Sequence, residues 1–148
     1  MRSIPGPEGF VQVHQIRVRY AETDQQGVAH HSTYIPWIEE GRTEWLRARG
    51  RTYRSMEQEG LILTVMSVAL RYRSSALYDD LIRIETWLSR KGGASLTFHY
   101  RLCVVERDGK PLDLLVAEAE TRLGLVDRQG RPRRLPPDIL PDPDCPEA

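Results

Sequence analysis

YAETDQQGVAHHSTYIPWIEEGRTEWLRAR, residues 20–49, is a polar turn that runs straight into the one long helical period of the chain. Thr33 is placed to cap a helix, because Pro36 then falls in the first turn, where its missing N–H is not needed. Tyr34, Trp37, Ile38, Gly41, Trp45 and Ala48 recur on one face, with Glu39, Arg42, Glu44, Arg47 and Arg49 on the other. Gly50 ends the pattern. A helix of about seventeen residues is about 25 Å long, enough to cross a sheet. Gly41 inside the apolar face costs roughly 1 kcal/mol against Ala, which makes sense where a neighbouring backbone comes close.

Before this stretch, residues 1 to about 9 contain Pro5, Gly6, Pro7 and Gly9 and read as an untied terminus. Val13 to Tyr20 reads as a strand, with Ile16, Val18 and Tyr20 on one face. After Gly50, Thr52 can cap a short helix that stops at Gly60. From Leu61 the period becomes alternating. Ile62, Met66, Val68, Leu70 and Tyr72 share a face, then Ile82, Ile84 and Leu88 within Leu81 to Arg90. Lys91-Gly92-Gly93 and Asp108-Gly109 are hairpin signals around strands marked by Leu96, Phe98, Tyr100, Leu102 and Val104, and by Leu115, Ala117, Ala119, Thr121 and Leu123. Strand, long helix, short helix and four strands predict an α+β fold, an antiparallel meander with one face covered by the helix. The expected core spans about 12–127 of a single domain, followed by a proline-rich tail from Arg131. A single helix covers only one sheet face, so a second copy is expected to bury part of the surface or an edge.

The chain has 148 residues with equal numbers of acidic and basic side chains, which gives no reason to expect nucleic acid or an anionic membrane. No apolar run is long enough to span a bilayer and the start lacks a signal-peptide pattern, so a cytoplasmic protein is the expectation. Cys103 in a strand pattern and Cys145 in the tail have no metal-ligand spacing, and neither a disulfide nor a metal is expected.

Asp24 lies in the polar turn just before Gly27 and the helix start. Helix N-termini stabilise a developing oxyanion, and a carboxylate nearby can act as base or nucleophile. The same aspartate can also simply close a turn through its side chain. His30 and His31 precede the helix, but HHSTY lacks the remaining ligands of a zinc site. Neither Ser32 nor Ser95 lies in a nucleophile elbow, so a Ser-His-Asp triad fits poorly.

RVRYAETDQQGVAHHSTYIPWIEEGRTEWLRARG resembles the signature of hotdog-fold acyl-CoA thioesterases of the hydroxybenzoyl-CoA thioesterase family, and the likeness extends from His14 to about Leu140, including LPPDIL. The resemblance implies a five-stranded sheet wrapped around the long helix and hydrolysis of an acyl-CoA thioester without a cofactor, CoA being part of the substrate. It places the catalytic carboxylate on Asp24 and the polarising backbone N–H on His31, whose side chain can also assist. Tyr20 and Tyr34 match aromatic positions flanking the site, and Glu40 an acidic position of open role. It also implies CoA at a subunit boundary of a homodimer or homotetramer, with Arg90 and Lys91 near its phosphates and Arg71 and Arg73 as further candidates. A hotdog dehydratase or hydratase, and a non-catalytic acyl-CoA binder, are the alternatives. The acyl group is left open, since pocket depth depends on how Trp45, Met66, Tyr72 and a partner pack.

Overall fold

The computed structural model describes Ile4, Gly6, Pro7 and residues 9–136. Cys145 and most of the LPPDIL segment lie outside the described residues. The elements are β1 (Val11–Arg17), α1 (Tyr34–Ala48), α2 (Tyr53–Gln58), β2 (Ile62–Tyr72), β3 (Leu81–Lys91), β4 (Ser95–Arg107) and β5 (Lys110–Val126). They form one five-stranded sheet whose pairings are all antiparallel.

The strand order is β1-β3-β4-β5-β2, which corrects the expected simple meander. Only β3, β4 and β5 are joined by tight turns, at residues 92–94 and at Asp108-Gly109, where φ is 53° and 75°. The connection from β2 to β3 is residues 73–80, long enough to pass the ends of β4 and β5 at about 4.8 Å per strand spacing. Asp80, its buried last residue, accepts from Leu77 N at 2.7 Å and pairs with Arg107 at 2.8 Å. β2 thus becomes an edge strand.

Helix α1 lies across β1, β3 and β4. Trp37, Ile38, Trp45 and Leu46 pack towards Ile82, Ile84, Phe98, Tyr100 and Leu102, all essentially inaccessible. Trp45 meets Phe98 edge-on with centroids 5.0 Å apart. Each large apolar side chain buried this way contributes about 1.5–3 kcal/mol. Gly41 lets the helix settle here. The close neighbours are side chains rather than backbone: an added Cβ would stand 2.5 Å from Thr86 Oγ1 and 2.9 Å from Ile84 Cγ2.

Several local expectations change. Thr33 is already helical and its side chain caps nothing; it donates to Glu22 O at 3.2 Å, while His30 Nδ1 accepts from Ser32 N ahead of a 3-10 turn over His31–Thr33. Ala48 is exposed, and Arg42, assigned to the polar face, is buried. Its Nε donates to Tyr53 Oη at 2.6 Å and Nη1 to Tyr100 Oη at 3.1 Å. Burial opposes the charge, but the two phenols leave the guanidinium above its ordinary pKa. Thr52 caps α2 as expected, exchanging hydrogen bonds with Ser55.

In β2 a bulge between Val65 and Ser67 reverses the alternation. Val65 and Val68 therefore sit opposite Leu123 and Thr121 on the core side, whereas Met66 turns towards Gly124 on the outer face. α1 leaves most of β2 uncovered, meeting its end where Tyr34 stands edge-on to Tyr72, and Val65, Met66, Val68 and Tyr72 are exposed along this edge. The outer sheet face is charged: Glu85, Arg101, Glu118 and Arg71 stand in one row across four strands.

Candidate active site

The loop before α1 is built around Glu22. Strand β1 ends at Arg17, earlier than expected, and Val18 turns inward with its N–H on Asp80 O at 2.9 Å. Residues Tyr20–Glu22 then form one 3-10 turn. The Glu22 carboxylate accepts from Arg19 N at 2.8 Å and from Trp37 Nε1 at 2.9 Å, and its carbonyl from His30 N at 2.8 Å. One acidic residue thereby locks the entrance of the loop to both its exit and the helix. Nothing in the local spacing marks Glu22, because its partner Trp37 is brought near only by the fold.

Between these anchors the chain folds back on itself. Thr23 bridges Ala29, and Asp24 N donates to Val28 O at 2.9 Å. Gly27 completes the return with φ 79°, a conformation that glycine adopts without strain. Asp24 Oδ1 accepts from Gln26 N at 2.8 Å and from Val28 N at 3.4 Å. This is the turn-closing role foreseen for an aspartate, but it uses a single oxygen. Among the described residues Oδ2 has no hydrogen-bond partner, and the carboxylate is exposed.

His31 opens the 3-10 turn that passes without interruption into α1. As the first residue of that turn its N–H has no acceptor within the helix, so it is one of the free donors of a helix start. Its carbonyl accepts from Tyr72 Oη at 2.9 Å. The rings of His30 and His31 stack with centroids 4.1 Å apart, and His30 Nδ1 lies 2.7 Å from Ser32 Oγ. His30 is engaged in holding the turn.

Tyr34 is buried under the loop, edge-on to Trp37 at 4.9 Å and to Tyr72 at 5.1 Å. Burial raises the Tyr34 phenol pKa, partly offset by a hydrogen bond with the Ala76 backbone, and raises that of Tyr72 as well. Tyr20 points elsewhere: it is 79% exposed and meets Tyr78 edge-on at 5.6 Å. The two predicted aromatic flanks are therefore separate, one a floor and one a surface. Glu40 pairs with His14 at 3.0 Å and ties α1 to β1.

Arg90 and Lys91 are not beside Asp24 in the same protomer. β1 leads to the Asp24 loop from the end where Arg17 faces Leu81, while Arg90 and Lys91 end β3 at the opposite side. Ten strand residues separate those ends by about 30 Å. Arg73 is committed to the buried Glu118 at 3.0 Å. Three surface depressions of about 480, 410 and 340 Å³ are lined by other residues than Asp24 and His31. No group of three His, Cys, Asp or Glu side chains among the described residues could hold a metal, and no described helix is long and apolar enough to cross a membrane.

The chain is similar to known proteins over most of its length. Residues 18–142 match the family described as the thioesterase-like superfamily. Over 126 residues the chain is 32% identical to the acyl-CoA thioester hydrolase YbgC of Escherichia coli O6:H1, covering 84% of this chain and 90% of that one. The DHNA-CoA thioesterase from Staphylococcus aureus superposes with a TM-score of 0.77 at 27% identity, over 84% of this chain and 80% of the other. The 4-hydroxybenzoyl CoA thioesterase from Pseudomonas sp. strain CBS-3 shares the fold, with a TM-score of 0.78 at 19% identity over 87% and 96% of the two chains.

Proposed function

The chain belongs to the thioesterase-like superfamily and is an acyl-CoA thioester hydrolase, and from that premise we propose that Asp24 drives the attack and the His31 amide receives the oxyanion. The observation that carries this reading is the division of labour within one carboxylate. Oδ1 is held by the turn and Oδ2 is free, so the reacting oxygen is oriented without being consumed by structure. Oδ2 either adds to the thioester carbonyl, expelling CoA thiolate and leaving an anhydride for water to open, or takes a proton from the water that adds. Both routes end in a free acid and CoA thiol. The unpaired N–H at the helix start lies seven residues on, where negative charge on the carbonyl oxygen is favourable.

The partner in this reading is a second copy. The edge strand β2 carries exposed Val65, Val68 and Tyr72, and pairing it with its own copy about a two-fold axis buries that strip. Antiparallel pairing sets the Tyr72 end of one strand beside the Ile62 end of the other. The partner's Arg90 and Lys91 then come to the end of the sheet where this protomer holds Asp24. Those cations serve the CoA phosphates across the boundary rather than within one chain.

Asp24→Asn tests the mechanism because it keeps shape while removing the basic, nucleophilic oxygen. Thiol release is expected to fall by at least about 10²-fold, the low end for loss of general-base catalysis. The fold should persist, since the residue is exposed. His31→Ala is expected to cost less, because the amide remains. Near wild-type turnover in folded Asp24→Asn protein would remove Asp24 from the chemistry.

A further inference from the structure

Arg42 is a buried cation without an anion. It is 5% exposed, and its Nε and Nη1 donate to the hydroxyls of Tyr53 and Tyr100. Among the described residues no carboxylate pairs with it and its Nη2 has no hydrogen-bond partner. The phenols do not supply the charge, because burial raises the pKa of both and keeps them neutral. Glu39, one turn earlier on α1, is exposed and bears on Tyr53 rather than on Arg42. A buried charge is ordinarily paired, and leaving one alone is costly. Attack by Asp24 makes no use of it.

The guanidinium stands beside the part of the sheet that α1 leaves uncovered. Tyr100 Oη is 2.6 Å from Thr121 Oγ1, and Thr121 is the cross-strand neighbour of exposed Val68 on the core side of β2. Val65, Val68 and Leu70 form an apolar strip there, with Leu70 opposite the small Ala119. The second copy proposed on β2 closes this strip into a slot. Its reaction end is marked by Tyr72, whose hydroxyl holds the carbonyl of His31. Val68 lies four residues away, about 13 Å along the strand, which is the reach of an extended medium-chain acyl group. Tyr53 Oη accepts from Arg42, which leaves its own proton to donate, and the residue is half-buried. That proton and the free Nη2 are two donors beside one charge, the set that takes a carboxylate. We infer that the substrate supplies the missing anion: the acyl chain lies along the strip and its far end is a carboxylate held by Arg42 and Tyr53. The favoured substrates are then CoA esters of medium-chain dicarboxylic acids. This rests on the thioester carbonyl lying between Asp24 and His31.

The test is thiol release by the full chain with decanedioyl-CoA and decanoyl-CoA, which differ only in a terminal carboxylate in place of a methyl group. Wild type is expected to show a kcat/KM about ten-fold or more higher for the diacid ester, because the methyl-ended chain leaves buried donors unpaired. Tyr53→Phe keeps the ring and the guanidinium and should cut that ratio about three-fold or more. Arg42→Met should bring it to about one or below; where that variant does not fold, Tyr53→Phe decides. Wild type that hydrolyses both esters equally, or prefers decanoyl-CoA, overturns the inference. So does an unchanged ratio in Tyr53→Phe or in folded Arg42→Met. A preference that vanishes on added salt overturns it too, since salt screens surface charge and a buried pair much less. The ratio compares two substrates on one chemistry, so it is blind to which residue drives the attack. Active Asp24→Asn with the preference intact sinks the mechanism alone, whereas a ratio of one with inactive Asp24→Asn sinks this inference alone.

Discussion

The hydroxyl of Tyr72 reaches from the end of β2 to the carbonyl of His31 at 2.9 Å, so an edge-strand residue holds the peptide next to the amide proposed for the oxyanion. Its ring also rests edge-on against Tyr34, which fixes the ring independently of the hydroxyl. Tyr72→Phe should therefore keep the packing and release the peptide. We expect kcat to fall about two- to ten-fold, the worth of one net hydrogen bond of about 0.5–1.5 kcal/mol. KM should stay nearly constant, because an interaction realised only in the transition state leaves substrate binding alone. Steady-state thiol release measures both; a change in KM alone would place Tyr72 against the acyl chain instead. Arg42 shows the other use of tyrosine in this molecule. Its two phenol partners belong to α2 and β4, so a buried cation ties three elements together without a carboxylate.

At the scale of elements, α1 and β3 approach as closely as they do because Gly41 has no side chain. Ala there would gain about 1 kcal/mol of helix propensity. It would also place a methyl group 2.5 Å from Thr86 Oγ1 and 2.9 Å from Ile84 Cγ2, both on a buried strand. Overpacking of this kind costs about 1–3 kcal/mol, so the net effect is destabilising. Gly41→Ala should lower the denaturant midpoint. Adding Thr86→Ala should restore most of the loss, since Thr86 Oγ1 makes no hydrogen bond that would be forfeited. A double variant no better than the single one would shift the clash to Ile84.

For the whole molecule, the distribution of apolar surface decides where a second copy fits. α1 covers β1, β3 and β4, the outer face is charged, and the exposed apolar side chains of β2 line an open edge. Val68, on the core side of that edge and 42% exposed, is the residue to test. Val68→Asp should raise the dissociation constant of the proposed dimer by about 10²-fold or more, because an unpaired carboxylate in an interface costs several kcal/mol. Sedimentation velocity reads the assembly and thiol release the consequence. A stable dimer in Val68→Asp would move the interface off β2. A monomer with full turnover would show that the partner's cations are not needed.

Period, capping and turn chemistry are local, and the sequence by itself determined whatever rests on them. The helix through Trp37 and Trp45, the Thr52 cap, the Asp108-Gly109 hairpin and the turn that holds Asp24 all follow from residues within a few positions of one another. Tertiary structure alone decided what depends on distant partners. β2 crosses to the far edge because its connection is long enough to choose among neighbours, and no local pattern records which neighbour offers the better burial. The bulge at Met66 shifts the phase of that strand after an alternation that reads as continuous. Arg42 passes for a solvated helix charge until Tyr53 and Tyr100 surround it. Arg90, which the family likeness assigns to the CoA phosphates, stands at the strand end opposite Asp24 because the eleven-residue strand between them spans about 30 Å.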